Sequence, residues 1–192
     1  NLVHEFTFEI MNCFGYKDLS IRMTVLEFSK IALTHGAINP SNIIPYIISM
    51  ICSPELSILA LDTLKVVIYH YATFFNNRIK DGIKESFNFI MNFHGPGFTS
   101  LEPNNYAFHI GFILNILQPP QKNLFITSFI DALQDSLTTN PDPYLINWLI
   151  RSLCNFPFNY IWEVSTILMN LNNNIFSAYI STILEIINAY EL

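Results

Sequence analysis

Apolar residues recur with a helical period along almost the whole chain. In the run SPELSILALDTLKVVIYHY, which begins at residue 53, the apolar positions are three or four residues apart; they are Leu56, Ala60, Leu64, Val67 and Tyr71. Residues at this spacing share one face of an α-helix. Strand-like alternation is confined to short stretches. The pattern therefore predicts an all-α chain.

Asparagine, proline and glycine indicate where the predicted helices begin and end. Asn39 followed by Pro40 is a start signal, because Asn caps helices and Pro suits the first helical position. Pro45 lies inside the same pattern, so it is expected to bend this helix or to sit in its first turn. Gly36 is a natural stop for the preceding helix. Residues 53–54, Ser-Pro, predict another helix start.

The same reading of the chain gives about ten helices. The predicted ranges are 2–13, 19–35, 40–52, 54–71, 76–92, 104–117, 121–138, 143–154, 159–171 and 174–190. Helix pairs recur at about 35 to 45 residues, close to the roughly 40 to 47 of HEAT and armadillo repeats. We predict a HEAT/armadillo-type helical-hairpin solenoid segment over 1–192, part of a longer protein, with a loop or insertion at 93–103. A helical bundle is the alternative.

The composition limits the classes of function. Charged residues make up 12% of the chain, hydrophobic residues 51%, and the net charge is -6. Such a thin charged surface indicates that another molecule covers part of it. We expect no membrane in that role, because the longest nearly uncharged apolar stretch, 43–52, is far shorter than the roughly 20 residues needed to span a bilayer. Three widely separated cysteines predict buried thiols in a reducing compartment.

No motif of the sequence is typical of an active site. Phosphate-binding glycine loops, a Gly-x-Ser-x-Gly nucleophile motif and a His-Glu-x-x-His metal motif are all missing from the sequence. The histidines are isolated from one another, and the carboxylate pairs Glu5/Glu9 and Asp131/Asp135 are interpreted as solvated helix faces. We therefore predict no catalytic residue, no metal site and no cofactor, and hence a protein that is not an enzyme.

The densest charge cluster is the segment NNRIKDGIKES, 76–86. We expect one side of a helix to carry Arg78, Lys80, Asp81, Lys84 and Glu85. Its cations Arg78, Lys80 and Lys84 could dock an acidic partner or a phosphate backbone. The alternative is a solvent face with local ion pairs worth a few tenths of a kcal/mol each. With a net charge of -6, the chain matches nucleic acid poorly, so any DNA contact would be local.

Several stretches together resemble the carboxy-terminal region of the cohesin-loader family, the Nipped-B-like or adherin proteins. They are GAINPSNIIPYII, SPELSILALDTL, RIKDGIKESFNF, FITSFIDAL and WLIRSLCNFPFNYIWEVSTILMNLNNNI. The matching positions include Gly36, Asn39, Pro40, Pro45, Arg78, Gly82, Ile83, Phe87 and Pro157. The blocks agree in order over about residues 20 to 180. The chain departs from the family in having less Lys and Arg, notably after Glu163.

The resemblance implies a nuclear HEAT-repeat scaffold that binds the cohesin ATPase heads and kleisin, together with DNA. Such a scaffold stimulates ATP hydrolysis and loads cohesin onto chromatin for sister chromatid cohesion, without catalytic residues of its own. Arg78, Lys80 and Lys84 would face the partner. The residues expected to maintain the fold, and not to contact the partner, would be Gly36, Asn39, Pro40, Pro45, Gly82 and Pro157. The alternatives are a HEAT scaffold of another class, such as a nuclear transport receptor or another cohesin-associated subunit, and a helical bundle that binds an apolar ligand.

Overall fold

The computed structural model describes residues 6–94, 107–139 and 141–157, and these residues form helices and turns without strands. The α-helices are α1 (Thr7–Asn12), α2 (Leu19–Thr34), α3 (Pro40–Met50), α4 (Ser57–His94), α5 (Ala107–Ile110), α6 (Pro119–Thr138) and α7 (Pro143–Cys154). Two 3-10 segments, Cys13–Gly15 and Gly111–Asn115, follow α1 and α5. The all-α prediction is confirmed for these residues.

The predicted separation of helices 54–71 and 76–92 is confirmed as a kink, because two helical stretches meet at Tyr71. Both lie in α4, which is continuous except for non-helical dihedral angles at Tyr71 (φ -137°, ψ 36°). Residues 68–78 around the kink include neither Gly nor Pro. Because the two stretches form one element, the described residues contain fewer helices than the ten predicted for the whole chain. The predicted helices 159–171 and 174–190 lie outside the described residues, as do positions 95–103 of the predicted loop.

The start of α4 also differs from the prediction. The helix begins at Ser57, because the hydroxyl of Ser53 donates to the carboxylate of Glu55 (2.9 Å) and does not cap the backbone. The backbone N–H of Leu56 closes a turn on the Ser53 carbonyl (3.0 Å) before the helix starts. The predicted helix 104–117 is shorter as well: within the described residues it consists of α5 and the 3-10 segment that follows.

The turn between α2 and α3 follows from its sequence. Gly36 has φ 63°, the left-handed conformation that glycine adopts without strain. Its N–H donates to the Leu33 carbonyl (3.1 Å), and the N–H of Ala37 donates to the Ala32 carbonyl (2.8 Å). This pair of bonds is a Schellman motif. Asn39 then caps α3 through its side-chain oxygen, which accepts from the Ser41 N–H (3.0 Å).

Among the described helices, α3 and α4 pack most extensively against each other. Gly82 of α4 is buried against Ile48 of α3, and a Cβ atom at Gly82 would lie 2.9 Å from the Ile48 Cβ. Only a glycine allows this approach without displacement of the neighbouring helix. The apolar residues that these two helices bury include Ile43, Ile44, Ile47, Leu64, Val67, Phe75, Ile79 and Ile83.

Aromatic side chains fill the core around α6 and α7. Trp148 of α7 lies with its ring 5.9 Å from the rings of both Phe87 on α4 and Phe129 on α6. Phe129 also meets Phe156 edge to face at 5.0 Å. Gly111 packs against Phe156 and Pro157. If residue 111 carried a Cβ atom, the nearest atoms of these two residues would lie 3.1 Å from it. The half-buried Pro157 thus packs onto the 3-10 segment after α5.

Helix α4 is long and apolar enough, over Ser57–Phe93, to cross a bilayer by length and composition alone. Core helices meet the same criterion. The buried side of α4, with Leu64, Phe75 and Ile79, packs against α2, α3 and α6, and its outer side carries Lys80 and Lys84. A single helix of this kind is weak evidence for a membrane span.

Candidate functional site

Arg78 is bound into the junction between α3 and α4. Its Nε donates to the Ser41 carbonyl (2.9 Å), and its Nη1 lies 2.6 Å from the Asp81 carboxylate. In a regular helix the Ser41 carbonyl would accept from the N–H of residue 45, but Pro45 has none. Arg78 supplies the missing donor. The half-buried side chain is therefore a link between two helices rather than a free partner-facing group.

Pro45 has this effect because it lies beyond the first turn of α3. It is buried, and the helix continues through it to Met50. Of the two expected roles, the structure excludes a position in the first turn. The sequence contains one signal for the contact: a proline inside a helix leaves the carbonyl four residues earlier without a donor. The sequence alone does not show which donor fills that place.

Tyr46 lies beside the same junction. Its ring stacks on Phe14 at 5.7 Å, with 15° between the ring planes. Burial raises the pKa of Tyr46, the Glu85 carboxylate raises it further, and the Arg78 guanidinium lowers it. The charges of Arg78 and Glu85 thus lie close enough to the Tyr46 phenol to act on it. They lie on the side of α4 that faces α3.

Lys80 lies on a different side of α4. Its Nζ is 3.0 Å from the Asp131 carboxylate of α6, and both side chains are about half exposed, at 48% and 50%. Asp131 is thus paired with a lysine, whereas the sequence favoured a solvated pair with Asp135. An ion pair this exposed contributes little to stability and can exchange partners.

Lys84 is exposed and makes no hydrogen bond or ion pair within the residues that the structure describes. It lies one helical turn beyond Lys80. Exposed polar side chains recur along this face at helical spacing, and we call them the α4 polar ridge: Thr73, Asn77, Lys80, Lys84, Asn88 and Asn92. The structure therefore brings Lys80 and Lys84 together. The expectation that Arg78 shares their side was wrong.

A second ion pair between two helices was not predicted from the sequence. Lys30 of α2 and Asp62 of α4 form a hydrogen-bonded salt bridge, with side chains 37% and 48% exposed. The hydrogen bond from Lys30 lowers the pKa of Asp62 against a small opposing effect of burial. These two residues are 32 positions apart, so no local pattern connects them.

An open cleft of about 480 Å³ lies between the α2–α3 turn and the kink of α4. It is lined by Gly36, Ala37, Ile38, Asn39, Pro40, Tyr71 and Phe74. The hydroxyl of Tyr71 donates to the Leu33 carbonyl (2.8 Å), which fixes the kink against the end of α2. The phenol of Tyr71 is the one ionisable group among the residues that line this cleft.

The chemistry of the other titratable groups is equally limited. No three His, Cys, Asp or Glu side chains of the described residues are placed to share a metal ion. Cys52 is fully buried, and this burial raises the pKa of its thiol to about 12. A thiol with that pKa is protonated and unreactive at neutral pH. On the α4 polar ridge, Lys84 is an exposed lysine without a hydrogen bond or ion pair among the described residues.

The family model for the sister chromatid cohesion C-terminus of Nipped-B proteins matches residues 1–174. The chain belongs to this family. The resemblance drawn from the sequence blocks is confirmed, and membership implies a role in sister chromatid cohesion, at chromatin in the nucleus and with partners of the cohesin complex. The family is one of cohesion scaffolds and is not known as a catalytic one. A search of curated proteins gave no match.

Proposed function

We propose that this Nipped-B-type chain is a non-enzymatic, chromatin-associated scaffold that binds cohesin and promotes its ATPase-dependent loading onto DNA. The family match over residues 1–174 carries the proposal. It favours a cohesin loader over the nuclear transport class of HEAT scaffold. The alternative of a bundle around an apolar ligand loses support, because Phe125, Phe129, Trp148 and Phe156 are fully buried against one another or their neighbours.

The proposed mechanism is positional: a semi-rigid HEAT-type surface holds the cohesin ATPase heads and kleisin in a productive arrangement. Contacts between helices close in chain order support a solenoid, since α4 packs on α2, α3 and α6, and α7 packs on α5 and α6. The close approach at Gly82 and the Arg78 link to Ser41 stiffen the α3–α4 pair. A stiff helix pair of this kind can hold a bound partner in a fixed place without taking part in a reaction.

Within this proposal the partner-facing group is the α4 polar ridge. Lys84 is unpaired there and Lys80 has an exposed ion pair that an acidic partner group can replace. Arg78 acts as a positioning residue, because it binds Ser41 and Asp81. Two lysines against a net charge of -6 give a local match to an acidic protein surface and a poor one to a DNA backbone.

The test is cohesin ATPase activity in the presence of DNA, with the intact parent protein or a version lacking residues 1–174. We expect stimulation by the intact protein and its loss on deletion. A pull-down with cohesin heads and kleisin, set against Ran and transport cargo, separates the two scaffold classes. Stimulation that survives the deletion, or selective binding to Ran, would contradict the proposal.

A further inference from the structure

Arg22 of α2 is a buried cation that packs on two aromatic rings and has no hydrogen-bond or ion-pair partner among the described residues. Its side chain is 7% exposed, and its guanidinium carbon lies 4.5 Å from the centre of the Phe93 ring and 5.5 Å from that of Phe89. The Nε atom is sealed from solvent without a hydrogen-bond acceptor. Within the described residues, no carboxylate is close enough to form an ion pair with Arg22.

The other two arginines of the chain behave differently. Arg78 donates its Nε–H to the Ser41 carbonyl, and Arg151 donates its Nε–H to the Asn147 side chain (3.1 Å). A guanidinium buried without such hydrogen bonds carries a desolvation cost, which contact with aromatic rings offsets in part. Burial lowers the pKa of Arg22, and the distant carboxylates of Glu55 and Asp18 raise it only in part. The fold thus leaves an unfavourable charge at one defined place.

The two phenylalanine rings hold this charge in an orientation that suits a ligand. Aromatic rings pack against the face of a guanidinium, whereas its N–H groups point outward in its plane and match the two oxygens of a carboxylate. Only Nε is both sealed and unpaired, so the remaining access belongs to the terminal nitrogens. We propose that Arg22 is a preorganised receptor for a single carboxylate group of a protein partner.

Charge and access together favour an acidic side chain over a nucleic acid. The ionisable groups whose fields reach Arg22 are Asp18, at the start of α2, and Glu55, in the turn before α4, and both are acids. Their repulsion and that of the net charge of -6 oppose any anion but grow with the charge of the ligand, so a single carboxylate is disfavoured far less than a polyanion. With 7% of the residue exposed, the accessible surface of Arg22 is far smaller than the surface of a phosphate backbone. This inference does not depend on which protein supplies the carboxylate.

The experiment follows the side-chain N–H signals of the intact, isotope-labelled chain by NMR while acetate is added at constant ionic strength. With only three arginines, each Nε–H signal can be assigned by substitution, and Arg78 and Arg151 serve as internal controls. We expect a saturable shift at Arg22 alone. Arg22→Lys keeps the charge but loses the planar fork, so the acetate Kd should rise about tenfold.

Further arms distinguish the sources of the anion. Inorganic phosphate is the second probe, and a short peptide with one Glu, compared with its Gln counterpart, is the third. We expect the Glu peptide to shift Arg22 at least as strongly as acetate, and phosphate and the Gln peptide to have little effect. A non-saturable shift, equal shifts at all three arginines, or tighter binding of phosphate than of acetate would overturn the proposal.

Thermal stability gives an independent readout. Acetate should raise the Tm of the wild type and leave that of Arg22→Met unchanged, because binding to the folded state alone stabilises it. A merely structural Arg22 would show no acetate-dependent rise in either protein. If Arg22→Met does not fold, the comparison with Arg22→Lys decides, and an equal rise in Tm there would also overturn the carboxylate fork.

Discussion

Helix α4 carries its charges on two faces that differ in use. On the face toward α3, Arg78 is bound to Ser41 and Asp81, and its position depends on a proline in another helix. On the α4 polar ridge, Lys80 has one exposed ion pair and Lys84 has none in the described residues. Charged residues of one short segment can thus either link helices within the fold or remain accessible to a partner. Only the residues that surround each charge in the structure show which role it has.

The packing of the inner face gives the largest expected effect. Gly82→Val places new atoms against Ile48, so we expect the free energy of unfolding to fall by about 2 kcal/mol, measured by urea denaturation. Gly15→Ala is the control, since nothing lies within 4 Å of its Cβ position. The double variant with Ile48→Ala should lose less stability than the sum of the two single changes. If the stability losses of the two single variants simply added in the double variant, the close contact between residues 82 and 48 would be disproved.

The Arg78 link gives the next effect. Arg78→Met leaves the Ser41 carbonyl without a donor and should lower the free energy of unfolding by about 1 kcal/mol. In a Pro45→Ala background the helical N–H is restored, so the same substitution should cost much less. This double-mutant cycle, measured by denaturation, isolates the coupling. A coupling near zero would show that the proline and the arginine act independently.

How much of this could be foreseen depends on the distance between the residues involved. The α2 stop at Gly36 and the α3 start at Asn39 and Pro40 were readable, because capping acts between near neighbours in sequence. The predicted break between 54–71 and 76–92 agrees with the kink at Tyr71, whereas the joining of the two stretches into one long element depends on backbone geometry that no residue type signals. Arg78 was assigned to the wrong face, because its role depends on Ser41, which is 37 positions away.

The outer face gives a functional effect with little change in stability. In the parent protein, Lys84→Glu should weaken cohesin-dependent ATPase stimulation about two- to fivefold through the loss of one partner-facing charge. The unfolding free energy should change by less than about 0.5 kcal/mol. Lys17→Glu, an exposed lysine before α2, is the matched control for charge. Equal activity of both variants would remove the ridge from the proposed surface.

The smallest effect concerns the ion pair that joins α2 to the other half of α4. The pKa of Asp62 is lowered in the folded state by Lys30, so its stabilising effect is present above the ordinary aspartate value of 3.8. That stability is lost as the pH falls through the lowered folded-state pKa. The difference in unfolding free energy between wild type and Asp62→Asn should therefore shrink below about pH 4, by an amount kept small by solvent screening of these half-exposed groups. A difference that stays constant down to pH 2, measured by urea denaturation, would mean that the asparagine variant loses packing and not charge, and it would remove the Lys30–Asp62 pair from the charges of α4 that have a structural role.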